Sequence, residues 1–174
     1  YNPPMEFFKI ALQTIEAQVY PNWELCIADD CSTNADVRVF LQDYAKENNK
    51  TRITFRPKNG HISAATNSAA DLATGDFLVF MDQDDELTPD ALAEIALYLD
   101  KNPDSDVIYS DDDKIDTMGN RFAPQFKPDW SPELLLSYMY MGHIFSVRKE
   151  LYWKVGGTRL GYEGSQDYDL ALRA

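Results

Sequence analysis

The sequence predicts an α/β domain with a mostly parallel central sheet and helices on both faces. Two observations support this. From Phe7 to Tyr109, short apolar runs rich in β-branched and aromatic residues alternate with segments of helical periodicity. Three of these runs also end abruptly in acids, at Asp29-Asp30, at Asp82-Gln83-Asp84-Asp85-Glu86 and at Asp111-Asp112-Asp113. Open α/β sheets gather polar groups just beyond the carboxyl ends of their strands.

Phe7, Ile10, Ala11, Ile15 and Val19 recur at near-helical spacing after Pro3-Pro4, which predicts the first helix and its apolar face. Glu24–Ala28 reads as a strand, and 36–47 as a helix with Val37, Phe40, Leu41 and Tyr44 on one side. Arg52–Phe55 is a second short strand. The Asn59-Gly60 turn opens an Ala-rich helix over 62–73, stopped by Thr74-Gly75-Asp76. Phe77–Met81 is a buried strand, 89–100 a helix and Val107–Tyr109 another strand. The pattern dissolves between Thr117 and about Met141, and an irregular stretch of that length is more often functional than filler. A strand over 144–147, a helix over 149–155 and a helix from Gln166 close the chain. Such a domain opens on a buried strand, whereas Tyr1-Asn2-Pro3 reads as the loop after one. The first strand is therefore expected to be missing from the sequence.

The 174 residues suffice for one domain with a substantial core. A formal charge of -13 argues against nucleic acid or an anionic membrane as the main partner. No apolar run reaches the roughly 18 residues of a membrane span, so membrane association is expected only through parts of the protein not present here. The first residue is Tyr rather than Met, which suggests a domain of a longer chain. Cys26 and Cys31 lack zinc-ligand spacing and read as reduced thiols of a cytoplasmic protein.

Carboxylates packed at one strand end repel one another unless a cation lies between them. Hard oxygen donors at that place suit Mg²⁺ or Mn²⁺. The competing reading of the 82–86 cluster is a loop capping the helix that follows it.

Tyr20-Pro21-Asn22-Trp23-Glu24, Ala28-Asp29-Asp30-Cys31-Ser32-Thr33, Asn59–Ala65, Asp82-Gln83-Asp84 and Gly164-Ser165-Gln166-Asp167-Tyr168-Asp169-Leu170 occur in that order along nearly the whole chain. Together they resemble the family 2 glycosyltransferases, whose fold is the single-domain A type. The resemblance implies a metal-dependent, inverting hexosyl transfer from a nucleoside-diphosphate sugar to a glycan or lipid-linked acceptor. It also implies a place in cell-surface polysaccharide synthesis, in the cytoplasm or at the inner face of its membrane. Residues 1–174 would be the catalytic domain, with 1–116 binding the nucleotide and 117–174 facing the acceptor.

The resemblance assigns Tyr1, Asp30, Asn59, His61 and Asp82 to the nucleotide. Asp30 would accept the imide N3–H shared by uracil and thymine, so UDP or dTDP is favoured. Its competing role, shared with Ser32, is to cap the next helix. Asp84 is expected as the direct ligand of Mn²⁺ or Mg²⁺, and Asp82 as partner to ribose or to the ion's water. Asp85 and Glu86 would support them or cap the following helix. Asp167 is expected as the catalytic base, although Gln166 stands where the family usually has Glu. Its competing role is a helix-dipole acid, and Asp169 and Asp113 are the other candidate bases. His143 is expected to complete the metal shell, to touch the acceptor, or to be a structural histidine, and His61 can equally be a surface-loop residue. Asp111–Asp116 reads as a solvated acidic turn, and Trp130, Tyr138 and Tyr140 as core or sugar-stacking aromatics. The absence of Gln-x-x-Arg-Trp favours transfer of single sugars over polymer extrusion.

Two other classes compete. Phosphatases of the haloacid dehalogenase type also place Asp-x-Asp after an apolar strand, but on their first strand and with Thr or Val where this chain has Glu86. A non-catalytic nucleotide-sugar-binding module of the same fold is the third.

Overall fold

A computed structural model describes residues Tyr1–Ala174. Helix α1 (Met5–Glu16) follows the Pro3-Pro4 pair and buries Phe8, Ala11 and Leu12. The expected apolar face is thus rotated by one residue, because Phe7 and Val19 are exposed while Phe8 faces the core. Strand β1 (Leu25–Asp29) pairs in parallel with β2 (Thr51–Phe55), from Leu25 opposite Thr51 to Asp29 opposite Phe55. Helix α2 (Ala35–Glu47) is capped by Asn34, whose side chain accepts the Asp36 N–H. Its Val37 and Leu41 join Phe8 and Leu12 in a small core against Leu25, Ile27, Ile53 and Phe55.

Helix α3 (His61–Ala70) precedes strand β3 (Phe77–Phe80), and α4 (Ala91–Lys101) precedes β4 (Val107–Tyr109). β3 and β4 run in the same direction on either side of β7 (Phe145–Arg148), which is antiparallel to both. The β1–β2 and β3–β7–β4 ladders are separate. The larger core lies around β7, where Val147 joins Leu78, Phe145, Tyr152 (from α6, Lys149–Lys154) and Leu170 (from α7, Gln166–Ala171). No helix is long and apolar enough to cross a membrane, and both cysteines are free.

Residues 112–125 depart from expectation. The acidic turn and the start of the irregular stretch form an antiparallel hairpin of β5 (Asp112–Ile115) and β6 (Arg121–Gln125). Asp116 makes its turn by accepting the Met118 and Asn120 N–H groups, with Gly119 at φ +83°. β6 is exposed along its whole length, so its sequence shows no alternation of apolar and polar residues. Only the short α5 (Pro132–Leu135) interrupts the segment that follows.

Polar ties join the two ladders. The buried Gln18 amide donates to the Thr88 carbonyl at 2.8 Å and accepts the Leu92 N–H at 3.0 Å. Glu24, just before β1, accepts from the hydroxyl of Thr74 and the N–H of Gly75, fixing the turn into β3. Asn67 of α3 accepts from the Tyr152 hydroxyl at 2.6 Å and donates to the Thr158 carbonyl.

Asp169 locks the C-terminal helix. Its buried carboxylate is gripped by the guanidiniums of Arg159 and Arg173, and Arg173 also donates to the Gly157 carbonyl at 2.7 Å. The Arg159 bonds lead in holding the Asp169 carboxyl below the usual carboxylate range, with Arg173 adding to them. A depressed carboxyl contributes stability that is complete above its unfolded value of about 3.9. That contribution is lost as pH falls through the lower folded value. Asp169→Asn should therefore destabilise the protein by about 1–3 kcal/mol at pH 7. In urea unfolding the gap to wild type should narrow steadily below about pH 4, and a gap independent of pH would contradict the ion-pair account.

Candidate active site

The site begins at the carboxyl end of β1. Asp29 accepts the Ser32 N–H, while Asp30, only 3% exposed, turns inward. Both Asp30 oxygens accept the Gly60 N–H at 3.0 Å, and Oδ1 also accepts Arg56 Nε at 2.7 Å. Asn59 donates to the Asp30 carbonyl and accepts the His61 N–H. The structure thus brings Asp30, Asn59 and His61 together, and Asn34 rather than Asp30 or Ser32 caps α2. Arg56 is the member that the motifs did not signal. It also donates to the Ala64 carbonyl, so one guanidinium joins β1, β2 and α3. Tyr1 is exposed beside this turn because Asn2 bonds to Ser32, Thr33 and Asn34.

The second cluster lies beyond β3. Asp85 Oδ2 lies 2.9 Å from His143 Nδ1, and Asp82 Oδ2 lies 3.8 Å from His143 Nε2. One donor atom from each of Asp82, Asp85 and His143 falls within 4.8 Å of the others. Asp84, the expected direct ligand, is exposed and stands outside that trio, while Asp85 takes a more central place than a supporting role implies. The bond to Asp85, then the charges of Asp85, Asp82 and Asp167, lift the His143 imidazole above its usual range against the effect of burial. That same bond keeps Asp85 low. Asp82 is pushed up, first by loss of surrounding water and then by Asp85, Asp84 and Asp167, with His143 opposing. A carboxyl raised by lost water, with like charges adding to it, marks a place that a cation would favour, and two oxygens with one imidazole nitrogen are a donor set for a divalent ion.

Asp167 stands at the start of α7, and its charge is the smallest of those that raise Asp82 and His143. No cation is bonded to it, and its carboxylate accepts only the Tyr168 N–H. The competing bases are engaged elsewhere, Asp169 with two arginines and Asp113 with Arg121 at 2.6 Å. Gln166 accepts the Gly164 N–H at 2.8 Å and so shapes the turn before the helix. Tyr140 is core, its hydroxyl accepting the Ser131 N–H, whereas Trp130 and Tyr138 are exposed.

Residues 1–156 match the model of Glycosyl transferase family 2. The chain is 40% identical over 167 residues to the O-antigen biosynthesis protein RfbC of Myxococcus xanthus, an alignment covering 96% of this chain and 13% of that one. It spans less than a fifth of two curated relatives that align along nearly its whole length. Among solved structures, TarS of S. aureus, residues 1–349, superposes with a TM-score of 0.76 at 20% identity, over 97% of this chain and 51% of that one. TarS has also been solved with UDP and with UDP-GlcNAc. The mannosyltransferase PcManGT of Pyrobaculum calidifontis, in complex with GDP-Man and Mn²⁺, gives 0.72 at 18% identity, over 98% of this chain and 48% of that one. At these identities the structural likeness is one of fold.

Gly60 tests how tightly the first cluster is built. A Cβ there would stand 2.6 Å from Arg56 Nη2 and 2.9 Å from the Ala64 Cβ. Since Arg56 is already held by Asp30 and Ala64, Gly60→Ala should destabilise the fold by about 1–3 kcal/mol in urea unfolding. An unchanged midpoint would mean that Arg56 yields freely.

Proposed function

The chain belongs to glycosyl transferase family 2, and from that premise we propose that it moves a sugar from a nucleoside-diphosphate sugar to a hydroxyl of a glycan or lipid-linked acceptor. The observation that carries this reading is the Asp82–Asp85–His143 trio beyond β3, with Asp167, a carboxylate without a cation, adding its charge to Asp82 and His143. The O-antigen biosynthesis relative favours a role in cell-surface polysaccharide synthesis. The nucleotide-sugar complexes of TarS and PcManGT favour the donor class.

Tyr1, Asp30, Asn59 and His61 take the nucleoside end of the donor. Two donors, Arg56 Nε and the Gly60 N–H shared by both oxygens, already engage the Asp30 carboxylate, which keeps an acceptor position for the imide N3–H of UDP or dTDP. Residues 1–116 form the nucleotide part and 117–174 the acceptor part, and β7 brings the two together at the centre. Asp167 takes the proton of the acceptor hydroxyl as its oxygen attacks the anomeric carbon. The bond to the diphosphate breaks on the opposite face, and one displacement inverts the configuration. Asp82, Asp85 and His143, with Asp84 at their edge, would hold Mn²⁺ or Mg²⁺, which neutralises charge on the departing diphosphate when bound.

Asp167→Asn should lower turnover by roughly 10² or more while leaving nucleotide affinity in place. Full transferase activity in that variant of the whole protein would reduce Asp167 to a helix-terminal acid. In calorimetry, UDP should bind more tightly with Mn²⁺ present, and Asp82→Ala or Asp85→Ala should abolish that gain. His143→Ala should narrow the preference for Mn²⁺ over Mg²⁺, because the imidazole nitrogen is the donor that favours Mn²⁺. Equal UDP binding with and without metal would count against the ion, and ADP binding as tight as UDP against Asp30 as the base reader.

A further inference from the structure

Lys127 follows the β5–β6 hairpin, and its side chain is only 4% exposed. An ammonium has three protons to donate and accepts none. Here each finds an acceptor: Asp112 Oδ2 at 2.8 Å, the Met141 carbonyl at 2.5 Å and the His143 carbonyl at 2.8 Å. One acceptor belongs to the hairpin and two belong to the loop that bears His143. The backbone of Lys127 is fixed as well, its N–H donating to Asp111 Oδ1 at 2.8 Å.

Between the two bonded carbonyls lies Gly142, at φ +53°. A Cβ on it would stand 3.0 Å from Asp112 Oδ2 and 3.3 Å from Lys127 Nζ, so the loop backbone lies directly against the buried ion pair. Two carbonyls aimed at one point need a multiple donor between them, and leaving them unpaired would cost the desolvation of each. Burying an ammonium is itself unfavourable unless it is paired and fully bonded. The arrangement therefore fixes the loop in place as well as filling space. The imidazole beyond it reaches Asp85 at 2.9 Å.

We propose that Lys127 is a positioning residue of the candidate active site. Anchored by Asp112, it holds the Met141–His143 backbone so that the His143 imidazole stays between Asp82 and Asp85. The consequence for metal binding rests on the proposed function, whereas the placement of His143 does not. Ligand groups held from behind in this way lose about tenfold or more in metal affinity when the support is removed.

The two histidines of the chain give an internal comparison, since His61 is exposed and far from Lys127 in sequence. Diethyl pyrocarbonate modification of each, followed peptide by peptide by mass spectrometry on the folded protein, should be slower at His143 than at His61. Lys127→Met should raise the His143 rate several-fold relative to His61. It should also weaken Mn²⁺ binding in the presence of UDP, read by electron paramagnetic resonance, by about tenfold or more. In a His143→Ala background the same substitution should cause no further loss of Mn²⁺ affinity. A purely structural role would lower the melting temperature and leave the reactivity ratio in place. An unchanged ratio, or a Mn²⁺ loss that simply adds to that of His143→Ala, overturns the proposal. If Lys127→Met does not fold, Asp112→Asn keeps the shape, removes the anchoring charge and is read by the same two measurements. Wild type that binds no Mn²⁺ would defeat the metal reading, while the reactivity ratio would still decide the role of Lys127.

Discussion

The candidate site depends on the antiparallel insertion of β7 between β3 and β4. Phe145, the first residue of β7, stands opposite both Phe80 and Tyr109, the last residues of those two strands. The chain just before Phe145 must therefore pass over the carboxyl ends of both. His143 is two residues back, and Asp82 is two residues beyond the end of β3. The backbone ladder alone brings them to the same place, before any side-chain attraction acts. β7 can hold that position because Phe145, Ser146 and Val147 are buried. The loop ahead of it is held in turn by Lys127, so a sheet register and a buried cation together define where the imidazole sits.

Charge distinguishes two sets among the carboxylates discussed above. Asp112, Asp113 and Asp169 each have an arginine or lysine within bonding distance and hold the fold, whereas Asp30 is paired with Arg56 and also has a place in the proposed nucleotide site. Asp82, Asp84 and Asp167 have no such partner, and Asp85 has only His143. An unpaired, crowded carboxylate destabilises a fold slightly, and a bound cation would offset that repulsion. The unpaired group converges where the strands end, and the paired group frames it. By this criterion Asp169, which has the helix-terminal position of a base, is engaged in holding the fold, and Asp167 is the carboxylate left free for the proposed role.

Much of this was legible in the sequence, for identifiable reasons. The alternation of strands and helices, and the acids ending three strands, rest on periodicity and local composition. They predicted every element from α1 to β4 to within a few residues. The apolar face of α1 was misplaced by one residue because Phe7 and Phe8 are adjacent and only tertiary packing chooses between them. The β5–β6 hairpin was invisible because its second strand is exposed throughout and contains Pro124, so no burial imprints a pattern on it. The site was partly readable in the same way. Asp30, Asn59, His61, Asp82 and Asp167 sit in local motifs, but the pairing of Asp85 with His143 spans the chain from β3 to β7. The roles of Arg56 and Lys127 likewise arise only when distant segments meet.

Gln166 shows how a departure from a family pattern can leave the local structure intact. Its side-chain oxygen accepts the Gly164 N–H, and Gly164 has a φ of +88° that favours glycine. A glutamate at 166 could make the same bond, so the amide preserves the turn that aims α7 at the site. What it removes is one further negative charge beside Asp167, whose own charge already contributes to raising Asp82 and His143. Since no cation is bonded to Asp167, a neutral neighbour spares it one repulsion. The position of the proposed base then rests on the helix start and the Arg159–Asp169–Arg173 lock behind it, neither of which requires a carboxylate at 166.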